Sequence, residues 1–329
     1  MKRKFLSLGL MLAMVFNFSA CSNNDTEKDS TNKLRVGVTI NPLKDFAEAI
    51  GGDKVEVFSI IPDGSDAHSF DPKPKDLKDL LETDVFIYNG LGMEEWIDSI
   101  LTTIESEDIK VVEAAQGVEV INIEESHEHS DDEEAHSHEE ATETVEDHSH
   151  EHGEECTHTH TGVDPHIWLS LENAIIEAEN IKDAFVEIDP SNELYYQENF
   201  ENLKSDFTEL NDEYKEKFKE VTNRNFVTGH AAFGYLCKEY SLTQNSIADV
   251  FGEGELTAKN LESLINYCKE NGVATIFSEA VASSKEAETL ANEVGAKVVK
   301  IYSLETKEDN MTYLEGMRYN LETIYNSLK

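Results

Sequence analysis

Positive charge is what this 329-residue chain has least of: 27 lysines and arginines stand against 68 aspartates and glutamates, for a formal net charge of −41. Phosphate backbones are held by lysine and arginine, so this balance excludes a nucleic-acid partner and makes cations the natural ones. A long apolar run is also missing. The nearest approach, Phe5 to Phe18, is shorter than the roughly 20 residues that cross a bilayer, and Lys2, Arg3 and Lys4 precede it, so residues 1–20 read as a secretory signal. Cysteine is scarce, with four residues; beyond Cys21, the remaining Cys156, Cys237 and Cys268 are odd in number and show no CxxC spacing. No disulfide framework is indicated. Cys237 and Cys268 lie in helix-like stretches and read as small core residues, while Cys156 is either a soft ligand or simply tolerated. Outside one histidine-rich stretch there is no HExxH or HxxEH string, no Gly-x-Ser-x-Gly elbow and no histidine pair at i, i+4. The sequence marks of a zinc or serine hydrolase are therefore missing.

What is present begins with Phe18-Ser19-Ala20-Cys21, which resembles the lipobox of bacterial lipoproteins, with Cys21 as the acylated first mature residue. The polar stretch over residues 21–32 suits a flexible tether. Such a chain is expected on the extracellular face of the cell membrane, attached through its lipid.

From Leu34 onward, short β-branched runs alternate with amphipathic segments: Leu34 to Ile40, a helix after Asn41-Pro42, Val55 to Ile61, and Val85 to Asn89. Over residues 124–161 His, Glu, Asp, Ser and Thr replace nearly every apolar residue, a composition that cannot bury a core and predicts a disordered loop. Order returns at Val163. Leu171 to Lys219 reads as helices broken at Asp189-Pro190-Ser191, with Ser191 the expected N-cap. In the second helix Tyr195, Phe200, Leu203, Phe207, Leu210, Tyr214 and Phe218 recur at helical spacing over more than six turns. A second α/β set follows: strand Phe226 to Thr228, helix Ala231 to Tyr240, helix Ala258 to Asn271, strand Ala274 to Ser278, helix Ser284 to Val294, strand Lys297 to Tyr302, and a last helix from Met311. The expected fold class is α/β, two lobes, each a mostly parallel sheet flanked by helices, joined by one long rigid helix. The boundaries are 33–190 for the first lobe, 191–222 for the connecting helix and 223–329 for the second lobe.

Nine of the twelve histidines fall in the acidic insert: His127, His129, His136, His138, His148, His150, His152, His158 and His160. Pairs of them are candidates for weak, auxiliary metal binding, and the dense carboxylates around them raise the local cation concentration. The other three, His68, His166 and His230, are each placed where a strand is expected to give way to a loop or helix, the position from which α/β sheets present side chains to a ligand crevice.

The stretches around these three resemble the metal-binding lipoproteins of ABC importers for zinc and manganese. The resemblance is carried by Ile61-Pro62-Asp63-Gly64 through His68-Ser69-Phe70, Asp164-Pro165-His166-Ile167-Trp168-Leu169-Ser170, His230-Ala231-Ala232-Phe233-Gly234-Tyr235 and Ile276-Phe277-Ser278-Glu279. It extends from Leu34 to the C-terminus and implies a metal held between the lobes by His68 and His166 from the first and His230 from the second. The fourth position would go to Glu305, with Glu279 or a water as alternatives; Tyr302-Ser303 stands where the family more often has Asn-Pro. Three imidazoles and a carboxylate suit Zn2+ above manganese, and manganese binders of the family tend to carry Glu in the place of His230; nickel and cobalt stay open. The resemblance further implies a non-enzymatic, monomeric binding protein that delivers its metal to an ABC permease with its ATPase. A surface metal buffer or adhesin acting without a transporter is the alternative. Asp164 and Pro165 are expected to fix the approach of His166, Trp168 and Phe233 to pack beneath the metal-binding groups, and metal retention to weaken as histidine titrates between about pH 6 and 7.

Overall fold

The computed structural model describes residues 33–123, 162–253, 257–279 and 284–329. The expected signal, Cys21, the tether, the nine insert histidines and Cys156 lie outside the described residues. No described helix is long and apolar enough to cross a membrane.

In the first lobe β1 (Leu34–Val38), β2 (Val55–Ser59), β3 (Val85–Tyr88) and β4 (Lys110–Glu113) form a four-stranded parallel sheet in the order β2-β1-β3-β4. The register sets Val36 opposite both Val57 and Val85. The connections carry α1 (Asn41–Gly51), α2 (Pro74–Leu80) and α3 (Ile97–Ile104), and α4 (Leu171–Ile188) packs against α1. The second lobe repeats the plan with β5 (Asn225–Thr228), β6 (Thr243–Ser246), β7 (Thr275–Ser278) and β8 (Lys297–Lys300) in the order β6-β5-β7-β8, again all parallel. Its helices are α6 (Gly234–Tyr240), α7 (Ala258–Asn271), α8 (Ser284–Val294) and α9 (Tyr313–Leu328). Each strand order reverses direction once, between β1 and β3 and between β5 and β7. A crevice opens at the carboxyl ends of strands at such a point, because successive connections leave to opposite sides there.

The long helix α5 (Glu193–Phe218) links the two lobes. Near its start Asn199 donates to the Ile50 carbonyl, and at its end Arg224 donates to the Phe218 carbonyl. It starts two residues later than expected. Pro190–Asn192 forms a 3-10 turn, and the Ser191 hydroxyl donates to Asp189 Oδ1 rather than capping the helix. Tyr196, not Tyr195, is the buried residue of the first turn, its hydroxyl donating to Asp189 Oδ2. The expected helix from Ala231 begins instead at Gly234, because the His230 carbonyl, which would accept the first helical bond, is taken by Thr228 Oγ1 and Gln244 Nε2. The last helix begins at Tyr313, where Thr312 and Glu315 form a reciprocal capping box that satisfies two otherwise orphaned amides. Strands β1, β2, β3 and β8 stop one or two residues short of their apolar runs.

The main core does not stop at the lobe boundary. Phe46 of α1, Phe207 of α5 and Tyr313 of α9 meet with ring centroids 4.7–5.5 Å apart, and all three are buried. Asp45 of α1 accepts from the Tyr313 amide, and the Tyr313 hydroxyl donates to the Trp168 carbonyl. A hinge opening would have to break these contacts, and close-packed interiors do not deform continuously. Cys237 and Cys268 are buried free thiols, as expected of core residues.

One buried group opposes folding. Glu177 on α4 is fully buried, neither carboxylate oxygen has a hydrogen-bond partner, and burial followed by the nearby Glu94 charge raises its pKa well above the usual range. A raised folded pKa contributes stability below the unfolded value near 4.5 that is lost as pH rises. Glu177→Gln is therefore expected to melt higher than the parent at pH 8, by about a few degrees, with the gap closing towards pH 4.5. Thermal denaturation of the metal-free protein at both pH values checks this, and a gap independent of pH would refute it.

Candidate metal centre

The chain path brings His68, His166, His230 and Glu305 to one point between the lobes, with one donor atom of each within 4.8 Å of all the others. His68 lies in the long loop after β2, where Asp66 Oδ1 accepts from its amide. His166 does not follow a strand among the described residues: the isolated bridge Asn122↔Val163 precedes it, and the 3-10 turn Ile167–Leu169 follows. His230 stands two residues beyond β5. Glu305 follows Leu304, whose φ of 66° is unusual for a branched residue and turns the next side chain inward. Gly316 makes room for this, since a Cβ there would come within 2.4 Å of Leu304 Cδ2.

Nε2 of His68 and Nε2 of His166 are 3.2 Å apart; Glu305 Oε1 is 3.5 Å from His166 Nε2 and 3.6 Å from His230 Nε2. Donors about 2.0–2.1 Å from a tetrahedral ion lie about 3.3 Å from one another, so these spacings match the edges of such a site. His166, His230 and Glu305 are buried, and His68 is partly exposed. Both Glu305 oxygens and His230 Nε2 are buried without a hydrogen-bond partner, a costly arrangement in a protein alone and a natural one around a cation.

The supporting groups are specific. Asp164 Oδ1 accepts from the His166 amide at 3.0 Å and lies 2.9 Å from its Nδ1, which leaves Nε2 free to face the centre. The Pro165 carbonyl accepts from Asn89 Nδ2, so the expected role of Asp164 and Pro165 in fixing His166 has a geometry. Trp168 packs against the His166 ring at 5.2 Å and donates from Nε1 to the Ser303 carbonyl, two residues before Glu305. Phe233 is buried in the main core. Glu279 stays outside the cluster of four: its Oε1 is 3.7 Å from His230 Nδ1, behind the ring, and its Oε2 accepts from the Gly229 amide. Gln244 and Thr228 both donate to the His230 carbonyl. Gln244 was not legible as a site residue, because an exposed-looking Thr-Gln-Asn-Ser strand carries no chemical signature. Tyr235 of the second lobe donates to the Asp164 carbonyl and accepts from the Ile121 amide, tying both lobes at the site.

The electrostatics are those of a proton standing in for a metal. Burial is the largest influence on His166 and would lower its pKa, but Asp164 and Glu305 outweigh it and raise the ring to about 9. Burial lowers His68 to about 4, so it stays neutral and can accept from His166. Burial pushes Glu305 up, yet the His166 and His230 rings more than offset it and hold the carboxylate well below its usual range. Glu279, buried, rises to about 7. The titration window expected for unperturbed histidine, pH 6 to 7, is thus displaced upward at His166.

Residues 36–327 match the family described as ZnuA, zinc-uptake complex component A, periplasmic. The high-affinity zinc uptake system protein ZnuA of Bacillus subtilis (strain 168) is 34% identical, across 100% of this chain and 99% of its own. The manganese ABC transporter substrate-binding lipoprotein PsaA of Streptococcus pneumoniae is 28% identical over 100% and 99% of the two chains. Among solved structures, a Zn(II)-bound mutant variant of AdcAII from Streptococcus pneumoniae superposes with a TM-score of 0.75 at 28% identity, over 91% of this chain and 99% of that one. The fold and the buried histidine-carboxylate cluster define a metal-binding component of an importer. The chain belongs to the ZnuA family of ABC-transporter substrate-binding proteins, whose members work with a permease and an ATPase.

Proposed function

We propose that this protein captures Zn2+ outside the cell through His68, His166, His230 and Glu305 and delivers it to an ABC permease. The carrying observation is that four donors, three imidazoles and one carboxylate, converge within 4.8 Å of one another while both Glu305 oxygens and His230 Nε2 are buried without a hydrogen-bond partner. That donor set favours zinc over manganese, which takes more oxygen. Glu279 acts behind His230 as a supporting carboxylate instead of a ligand. Four protein donors also close the coordination sphere, whereas catalytic zinc keeps a position open for water, and this supports binding without catalysis. In this scheme the chain divides into residues 33–190, 191–222 and 223–329, is acylated at Cys21 for anchorage on the extracellular face of the cell membrane, and works as a monomer. The nine histidines of residues 124–161 collect zinc for the deeper site in this scheme.

Removing the gene is expected to abolish high-affinity zinc uptake under zinc limitation, with rescue by the parent and not by His166→Ala. Uptake of labelled zinc measures it. Unchanged uptake would leave a surface buffer, acting without a transporter, as the better reading.

A further inference from the structure

His68 is set apart from its three companions. It is the partly exposed one, it rides on a loop without regular structure, and it lines a cavity of about 320 Å³ that opens outward. Asp66, Glu95 and Glu253 line that cavity, which therefore draws cations towards His68. Because the shared core resists a hinge opening, the short way between solvent and the donors runs past this ring.

Phe251 of the second lobe lines the same cavity beside that ring. Its ring meets His68 edge to face, with centroids 5.7 Å apart and planes at 85°. The turn that carries it is held firmly: Asp249 Oδ1 accepts from the Phe251 and Glu253 amides at 3.0 and 2.8 Å, and the Asp249 carbonyl accepts from the Ala231 amide beside His230. The Phe251 ring is thus referenced to the backbone of one donor while it leans on another from the opposite lobe.

Building on the metal-capture reading, we infer that Phe251 is a positioning residue that holds His68 in its coordinating orientation and sets the rate at which the metal leaves. It touches no metal itself. Its effect passes through the His68 ring, so removing that ring removes the effect.

The test uses the full chain loaded with zinc and mixed with a chromophoric chelator in stopped flow. The kinetic phase that disappears in His166→Ala belongs to the interlobe site. Phe251→Ala is expected to speed that phase about 3- to 10-fold, the range an edge-to-face aromatic pair supplies. Phe251→Trp should stay within about twofold of the parent. In a His68→Ala background the phase should already be fast, and adding Phe251→Ala should change it no further, the non-additivity of two residues acting through one contact. An unchanged rate in Phe251→Ala, or an acceleration that persists without His68, overturns the inference. If His166→Ala removes no phase at all, the metal-capture reading fails and takes this inference with it.

Discussion

Replacing Glu305 by glutamine is expected to weaken zinc binding by roughly a hundred- to a thousandfold, whereas Glu279→Gln should cost about tenfold. Both carboxylates are buried, so burial alone does not separate them. Their placement does. Glu305 faces the ring nitrogens of His166 and His230 that point to the centre, while Glu279 sits behind His230, on the Nδ1 side. Removing the negative charge at Glu305 leaves a buried cation without its counter-charge, and loss of one partner of a buried pair is strongly unfavourable. Removing it at Glu279 disturbs only the orientation and basicity of one imidazole, for which losses of about 10- to 100-fold in metal affinity are usual. Competition titration of the two variants against a chelator of known affinity measures this. Equal losses, or a larger loss at Glu279, would reverse the assignment of the fourth position.

The second large effect is on pH. In the metal-free protein His166 is protonated up to about pH 9, and the His166–Glu305 pair is neutral overall. A metal needs the free base, so each ion bound near neutrality releases about one proton, and affinity rises about tenfold per pH unit between pH 6 and 8. The metal-free fold runs the other way. A raised histidine pKa contributes stability that is complete below its unfolded value of 6.5 and is lost as pH rises through about 9. Calorimetry of zinc binding in buffers of different ionisation enthalpy reads the released proton directly. Heats that do not depend on the buffer would contradict the ion-pair description.

Much of the architecture was legible because it follows from pattern. Val36 and Val38, or Phe226 and Val227, belong to short apolar runs of strand length, and the run from Phe200 to Phe218 keeps helical period without a break. The helices α2 and α3 were not read, since both are of eight residues or fewer, and β6 was missed because Thr243–Ser246 is a polar edge strand. At the site the three histidines stood out as the ones left over from the acidic insert. What surrounds them did not stand out. Asp164 turning back on His166, Leu304 adopting positive φ against Gly316, and Gln244 holding the His230 carbonyl are consequences of chain geometry between segments far apart in sequence. The choice between Glu305 and Glu279 likewise needed three dimensions, because both follow a strand of the same sheet.

The central claim is that one zinc ion sits between the lobes. It is tested most directly on the mature chain without residues 125–161, loaded in an equimolar mixture of zinc, manganese and nickel, with bound metal found by elemental analysis beside His230→Ala. One zinc per chain is expected in the parent and none in the variant. Manganese in its place, or no metal retained by the parent, would contradict it.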